Sequence, residues 1–159
     1  MIRVGQGYDI HRLESGIPLL LGGVRIPFEK GLKGHSDGDA LLHAITDALL
    51  GAAGLGDIGQ HFPDTDPKYK GADSRILLKN IWEKVKKAGW ELSNVDASII
   101  AQAPRLAEFI PEMKKSVALL LNTSFEQINI KAKTNENLGS LGRQEGIAVH
   151  VSLLLVKGA

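Results

Sequence analysis

Asp9 and His11 stand two positions apart in Gly7-Tyr8-Asp9-Ile10-His11. In a strand both side chains leave the same face, about 7 Å apart at Cα, so both reach one metal ion. His43 lies in a strongly apolar stretch, Ala40–Ala53. With Asp9 and His11 it makes an Asp/His/His set with a fourth position open, the pattern of catalytic rather than structural zinc. Asp47, one helical turn on, is placed to orient the His43 ring from behind. Each feature also has a plainer reading. Asp-X-His occurs in ordinary strands, and a lone His on an apolar helix face is commonly a hydrogen-bonded core residue.

Other segments carry phosphate or sugar chemistry. His35-Ser36 precedes a helix start, where free N–H groups and the helix dipole attract anions; simple capping by Ser36 is the alternative. Asp57-Ile58-Gly59 and Phe62-Pro63-Asp64-Thr65-Asp66-Pro67 offer carboxylates to sugar hydroxyls, or only turn chemistry. Lys131-Ala132-Lys133-Thr134-Asn135-Glu136 ends a strand with two cations, a hydroxyl and a carboxylate. Lys and Thr suit phosphate oxygens, and Glu suits a magnesium ion bridging phosphates. A solvated strand end would look alike. No Walker motif, dinucleotide fingerprint or nucleophile elbow occurs, and the Gly139–Gly146 stretch resembles a phosphate loop only loosely.

These residues need elements to hold them. Residues 2–11 read as a strand, and Leu19–Leu21 and Val24–Ile26 as a hairpin turning at Gly22-Gly23. Ala40–Ala53 has helical periodicity, with Ser36, Asp37 or Asp39 to cap it and Gly54 to end it. Residues 55–71 form a polar Gly/Pro/Asp segment longer than a plain connector. Helices are expected over 73–88 and from near Pro104 or Pro111 to about Leu121. Strands are expected over 95–101, 128–134 and 147–156, the last two joined by a Gly-rich loop, Asn135–Gly146. The final strand is apolar at Ile147, Val149, Val151, Leu153 and Leu155, and again at Ala148, Leu154 and Val156. A strand apolar on both faces is buried on both. One face would pack helices and the other a second subunit.

Composition limits the alternatives. The 159 residues fit one domain, 1–159, with 43% hydrophobic and 23% charged residues. Lys plus Arg number 19 against 18 Asp plus Glu, a net +1, which argues against a nucleic-acid partner. There is no cysteine, so any transition metal must be held by His, Asp or Glu. No apolar run approaches the length of a bilayer span and the N-terminus is no targeting peptide, so a cytoplasmic protein is expected.

Taken in order, five stretches resemble the 2-C-methyl-D-erythritol 2,4-cyclodiphosphate synthase family of the non-mevalonate isoprenoid pathway. They are Gly7–His11, His35–His43, Gly56–Gly59 with Phe62–Asp66, Ala101–Pro104, and Gly142–Ala148. The resemblance runs almost end to end. It implies an α+β single domain, with a mixed β-sheet covered by helices on one face and the other face packing in a homotrimer. It implies conversion of 4-diphosphocytidyl-2-C-methyl-D-erythritol 2-phosphate to the cyclic diphosphate with release of CMP. The substrate's own 2-phosphate would attack the β-phosphorus, making the enzyme a cyclising phosphorus–oxygen lyase. Asp9, His11 and His43 would hold Zn2+ or another divalent transition metal, and Glu136 a Mg2+ or Mn2+ ion at the diphosphate. His35 and Thr134 would stabilise the transition state. Ser36, Asp57, Ile58, Gly59 and Phe62, Pro63, Asp64, Thr65 and Asp66 match the methylerythritol and phosphate site. Ala101, Gln102, Ala103, Pro104, Arg105, Leu106 and Ala107 match the cytidine pocket, joined by Lys133, Asn135 and Arg143 among the substrate contacts. Each active site would lie between two subunits of the trimer.

Two positions depart from the family pattern: Ser140 stands where Phe is usual and Lys133 where Thr is common. The Phe lines an axial cavity that takes isoprenoid diphosphates, so only weak binding is expected there. A zinc-dependent phosphohydrolase and a non-catalytic trimeric module that binds nucleotides or isoprenoid diphosphates are the competing readings.

Overall fold

The computed structural model describes residues 1–157. Its main sheet has five strands in the order β4-β1-β7-β5-β6: β1 Ile2–Ser15, β4 Lys30–Lys33, β5 Trp90–Ile100, β6 Ile128–Lys133 and β7 Gly146–Lys157. β1 pairs antiparallel with β4 and β7, β5 pairs antiparallel with β7, and β5 and β6 run parallel, so the sheet is mixed. β2 Leu19–Leu21 and β3 Val24–Ile26 form the expected hairpin. Gly22 and Gly23 both have positive φ (63° and 76°), as its two-residue turn requires.

The helices are α1 Ala40–Ala53, α2 Ile58–His61, α3 Ser74–Lys87, α4 Ile110–Leu120 and α5 Gly139–Gly142. α1 is apolar nearly all round, and Leu41, Leu42, Ile45, Leu49 and Leu50 are each 0–1% exposed. Such a helix is stable only when covered on all sides. Each of these side chains contributes about 2 kcal/mol by leaving water. Asp39 caps the helix, its carboxylate accepting from Leu42 N, and Gly54 closes it in the left-handed conformation at φ 70°.

The sheet receives α1 through two glycines. A Cβ on Gly5 would strike the Ala48 carbonyl oxygen, and one on Gly7 the Ala44 carbonyl oxygen. With small Ala44, Ala48 and Ala52 facing them, the helix backbone settles directly onto β1. Asp9 and His11 continue the same face of β1. The close approach therefore brings His43, in the first turn of α1, down onto them.

Val149, Val151, Leu153 and Leu155 of β7 point toward the helices and are 0–3% exposed. On the opposite face Ala148 is buried and Leu154 and Val156 are half-buried, but His150 and Ser152 are exposed. The expectation of a strand buried on both faces thus holds within the chain for one face only.

Several boundaries differ from the sequence reading. β1 extends to Ser15 because β4, a strand not expected, pairs with its second half. β5 starts at Trp90 and crosses an irregularity between Leu92 and Asn94. The 55–71 segment is not featureless: it holds α2 and a 3-10 turn at Pro67–Tyr69. The Gly-rich 135–146 loop contains α5. Pro111 lies in the first turn of α4, whereas Pro104 precedes it, after a cis Ala103–Pro104 peptide. No described helix is long and apolar enough to cross a membrane.

Candidate active site

Asp9 and His11 leave β1 on one face, and His43 descends on them from α1. Asp9 Oδ2 lies 2.8 Å from His11 Nε2 and 3.1 Å from His43 Nδ1, and the two ring nitrogens are 3.3 Å apart. All three side chains are half-buried. Two imidazole nitrogens and a carboxylate oxygen are all lone-pair donors to a cation, and they converge within 4.8 Å of one another. A tetrahedral ion with bonds of about 2.0–2.1 Å needs ligand atoms roughly 3.3 Å apart, close to the separations found. The far nitrogen of each ring is already engaged. His11 Nδ1 donates to the Lys33 carbonyl at 2.8 Å, which leaves Nε2 a free lone pair toward the cluster. His43 Nε2 is engaged by Ser36 Oγ at 2.9 Å and Ser74 Oγ at 2.7 Å. This donor set fits a divalent metal ion.

The electrostatics agree. Burial alone would raise the Asp9 pKa, but hydrogen bonds and charge from His11 and His43 hold it below the ordinary value. Burial alone would lower that of His11, but Asp9 and the Lys33 carbonyl raise it. The cluster therefore stabilises a carboxylate and draws in positive charge, whether as a proton or as a metal ion.

Asp47 does not orient His43, contrary to expectation. Its Oδ1 accepts from Ile58 N at 2.9 Å and so ties α2 to α1. A helical side chain leans toward the helix N-terminus. His43 therefore turns toward Ser36 and Ser74, away from Asp47. Neither Ser74 nor the Lys33 carbonyl was expected at the site, although Asp73-Ser74 reads as a helix start.

The Asp9, His11 and His43 group opens into a cleft of about 420 Å3. His35 and Ser36 line it from one side, and Ile58, Gly59, Phe62, Pro63 and Asp64 from another. Tyr8, Tyr69 and Leu77, which the sequence did not single out, complete the wall. His35 Nε2 donates to the Asp66 carbonyl at 3.0 Å. Asp57, Thr65 and Asp66 do not line the cleft. Asp57 caps α2 by accepting from Gln60 N, and Asp66 caps the next turn by accepting from Lys68 N.

A second, smaller cleft of about 160 Å3 is lined by Ala101, Gln102, Pro104, Arg105, Leu106 and Ala107, with Ala132, Lys133 and Thr134. Beside it Gln102 Oε1 accepts from Asn135 N at 3.3 Å and Asn137 N at 3.1 Å. Thr134 Oγ1 accepts from Glu136 N at 3.2 Å. Glu136 and Asn137 hold positive φ (52° and 59°), and Thr134 and Glu136 are exposed. Arg143 Nε donates to Glu145 Oε2 at 2.7 Å, Arg143 being exposed and Glu145 half-buried.

The two clefts are separate in one chain. Asp9 pairs with Val149, Val149 with Ile99, and Ile99 with Ala132. Three strand spacings put roughly 14 Å between Asp9 and the β6 side. His35 and Thr134 accordingly stand in different clefts.

Residues 2–156 match the YgbB family. The chain belongs to the YgbB family. Curated relatives share nearly the whole length. A 2-C-methyl-D-erythritol 2,4-cyclodiphosphate synthase from Geobacillus sp. (strain WCH70) is 59% identical over 157 residues, 99% of each chain. One of the same name from Neisseria gonorrhoeae is 60% identical over 156 residues, 98% of each. Among solved structures, the bifunctional IspDF of Campylobacter jejuni superposes with a TM-score of 0.96 at 49% identity, over 99% of this chain and 42% of that one. Plasmodium falciparum IspF, solved as a CDP complex, gives a TM-score of 0.88 at 36% identity, over 99% of this chain and 97% of that one. These likenesses bear out the α+β fold and the family resemblance.

Proposed function

We propose that this YgbB chain converts 4-diphosphocytidyl-2-C-methyl-D-erythritol 2-phosphate to 2-C-methyl-D-erythritol 2,4-cyclodiphosphate and CMP. The observation that carries this reading is the converging Asp9/His11/His43 donor set beside a cleft, in a chain about 60% identical to synthases of that name. The reaction has no protein nucleophile. The chain has to place the 2-phosphate against the β-phosphorus and steady the charge that develops.

Asp9, His11 and His43 hold Zn2+ or another divalent transition metal, and Glu136 helps hold Mg2+ or Mn2+. When bound, the ions supply positive charge to the diphosphate oxygens as one P–O bond forms and another breaks. His35, oriented by its Nε2–H on the Asp66 carbonyl, lines the cleft and steadies the phosphate charge. Ser36 and Thr134 donate hydroxyl protons to phosphate oxygens. The Phe62–Pro63 wall shelters the methylerythritol carbons, with Asp64 near its hydroxyls. Asp57 and Asp66 cap the turns behind this wall, and with Thr65 they contact substrate at its rim. Ala101–Ala107 reads the cytosine largely through backbone groups, Ala103 included, and Lys133 and Asn135 flank the phosphates.

The same reading completes the site with a second copy of the chain. A diphosphate cannot span the roughly 14 Å between the two clefts of one chain, so the Thr134 cleft of a neighbour faces the Asp9 cleft. The open sheet face shows Val4 71%, Ile2 65%, Tyr8 51% and Ile10 44% exposed, an apolar strip suited to homotrimer packing. Arg143, paired with Glu145, would then gather near the three-fold axis and take a small anion. Ser140 shortens the apolar wall there, so farnesyl diphosphate should bind more weakly than to Ser140→Phe. Equal affinities by calorimetry would remove residue 140 from the cavity. We place the enzyme in the cytoplasm.

The deciding experiment is incubation with the cytidyl substrate and both metals. Cyclic diphosphate and CMP in equal amounts are expected. Inorganic phosphate as the product would instead make the chain a phosphohydrolase.

A further inference from the structure

We propose that Ser74, directed by Asp37, is the positioning residue that sets His43 as the metal ligand through Nδ1. The inference rests on the reading of Asp9, His11 and His43 as a metal site and adds a residue outside that set.

Ser74 is the first residue of α3, remote in sequence from the strand and helix that supply the ligands, and it is 1% exposed. Its hydroxyl lies 2.7 Å from His43 Nε2 and also bonds Asp37 Oδ1. Asp37 is fixed in turn. Its Oδ2 accepts from Ser74 N at 3.0 Å, and its Oδ1 accepts from Asp39 N at 3.1 Å. A carboxylate only accepts, so the single hydroxyl proton of Ser74 goes to Asp37. Ser74 Oγ is left able only to accept from the ring. His43 therefore carries its proton on Nε2 and turns the Nδ1 lone pair toward Asp9 and His11. The direction of the whole chain follows from the one group in it that cannot donate.

Ser36 cannot impose this order. It also reaches His43 Nε2, at 2.9 Å, but among the described residues its hydroxyl has no second partner that fixes its proton. It can give or take with equal ease. The arrangement parallels that of His11, whose far nitrogen donates to a carbonyl, another group that only accepts. Outer partners that hold a ligating ring in one tautomer and orientation raise metal affinity, and their loss lowers it about 10- to 100-fold.

The test compares wild type, Ser74→Ala and Ser36→Ala. Ser74→Ala keeps the backbone N–H bond to Asp37 and the small size of the buried side chain. Zinc affinity is measured by chelator competition on full-length protein. The His43 ring N–H is followed in the zinc-loaded protein by nitrogen-15 NMR. Ser74→Ala is expected to bind zinc about tenfold or more weakly, with a faster-exchanging His43 Nε2–H. Ser36→Ala is expected to change zinc affinity less. Unchanged affinity and exchange in Ser74→Ala, even with a lower melting temperature, would make Ser74 only an anchor for α3 and overturn the inference alone. A wild type that takes up no zinc at His43 would overturn the metal-site reading, and this inference with it.

Discussion

The two clefts are built to different degrees. Around Asp9, His11 and His43 every ring nitrogen and the engaged carboxylate oxygen has a partner within the same chain, and all three residues are half-buried. Around Thr134 and Glu136 the side chains are exposed, and Gln102 holds two backbone N–H groups of the turn. A metal ligand set has to be prearranged, because misplacing one donor weakens every bond to the ion. The Thr134 side can be left open if, as proposed, a neighbouring chain and the substrate's phosphates finish it. One region is complete within the chain, and the other, on the proposed reading, becomes a site in company.

The contrast breaks most sharply at His43. His43→Ala removes a ligand rather than its support. The loss of cyclisation should exceed the roughly hundredfold typical of losing an outer partner. Zinc per chain should fall while the oligomer survives; one tightly held zinc with normal turnover would end the assignment. Thr134→Ala acts in the other cleft. It should lower kcat about a hundredfold with little change in KM, since a charge stabiliser works mostly in the transition state. A raised KM with normal kcat would make it a binding residue. Mixing the two inactive variants after subunit exchange sharpens the point. If each site joins two chains, random assortment restores about a quarter of wild-type activity. No recovery would mean that each chain holds a whole site.

The two regions were also unequally legible in the sequence. Asp9 and His11 could be paired because a strand repeats every two residues, and the fold needs only β1 to be straight for the argument to hold. His43 was visible as an odd residue on an apolar helix. Its partner was not. Asp47 has the right spacing along the helix, but the lean of helical side chains turns the ring the other way, and Asp47 holds Ile58 N instead. Ser74 reads as an ordinary helix start, and only tertiary packing of α3 on α1 brings it to the ring. β4 was missed because Lys30-Gly31-Leu32-Lys33 has no alternating pattern, and it is a strand by virtue of pairing with β1. For Asp57 and Asp66 the turn-chemistry alternative describes their visible bonds. On the Thr134 side the sequence shows the residue types, while their meeting with Asp9, His11 and His43 would, in the proposed assembly, depend on a second chain.

The same contrast should appear in stability. The buried Asp39 carboxylate accepts from Gly22 N at 2.9 Å, Gly23 N at 2.7 Å and Leu42 N at 3.0 Å, joining the β2–β3 turn to the start of α1. Burial raises its pKa even so, though the three N–H groups oppose the rise. Asp39→Ala leaves those donors without a partner and water with little access. It should destabilise by about 3 kcal/mol, combining a lost cap with buried unpaired donors. Gln102→Ala also frees two N–H groups, but near solvent. Its effect should stay under about 1 kcal/mol. Urea unfolding of both variants checks the order. Equal losses would show that the 135–137 turn is as firmly built as the α1 start.

The smallest effect is expected on the outer sheet face, at Asp96 on β5. Lys131 Nζ lies 2.7 Å from its Oδ2, and Asn129 Nδ2 lies 3.0 Å from its Oδ1. Lys131 first and Asn129 second lower the Asp96 pKa from its ordinary 3.8. A carboxyl group lowered on folding adds stability above its unfolded value, and that stability is lost as pH falls through the native value. Asp96→Asn keeps the shape and removes the charge. Wild type should therefore exceed the variant at neutral pH, and the gap should close as the pH drops below 3.8. The pair is 46% and 44% exposed in the single chain, where solvent screening limits it to about 0.5 kcal/mol. If a neighbouring chain covers this face, screening weakens and the neutral-pH gap grows beyond that figure, with less sensitivity to salt. Melting temperatures of both proteins across pH, at low and high salt, read this directly. A salt-sensitive gap of surface size would mean that the Asp96 part of the face stays in water when the chains assemble. A larger, salt-resistant gap would place Asp96 and Lys131 inside the proposed interface between chains.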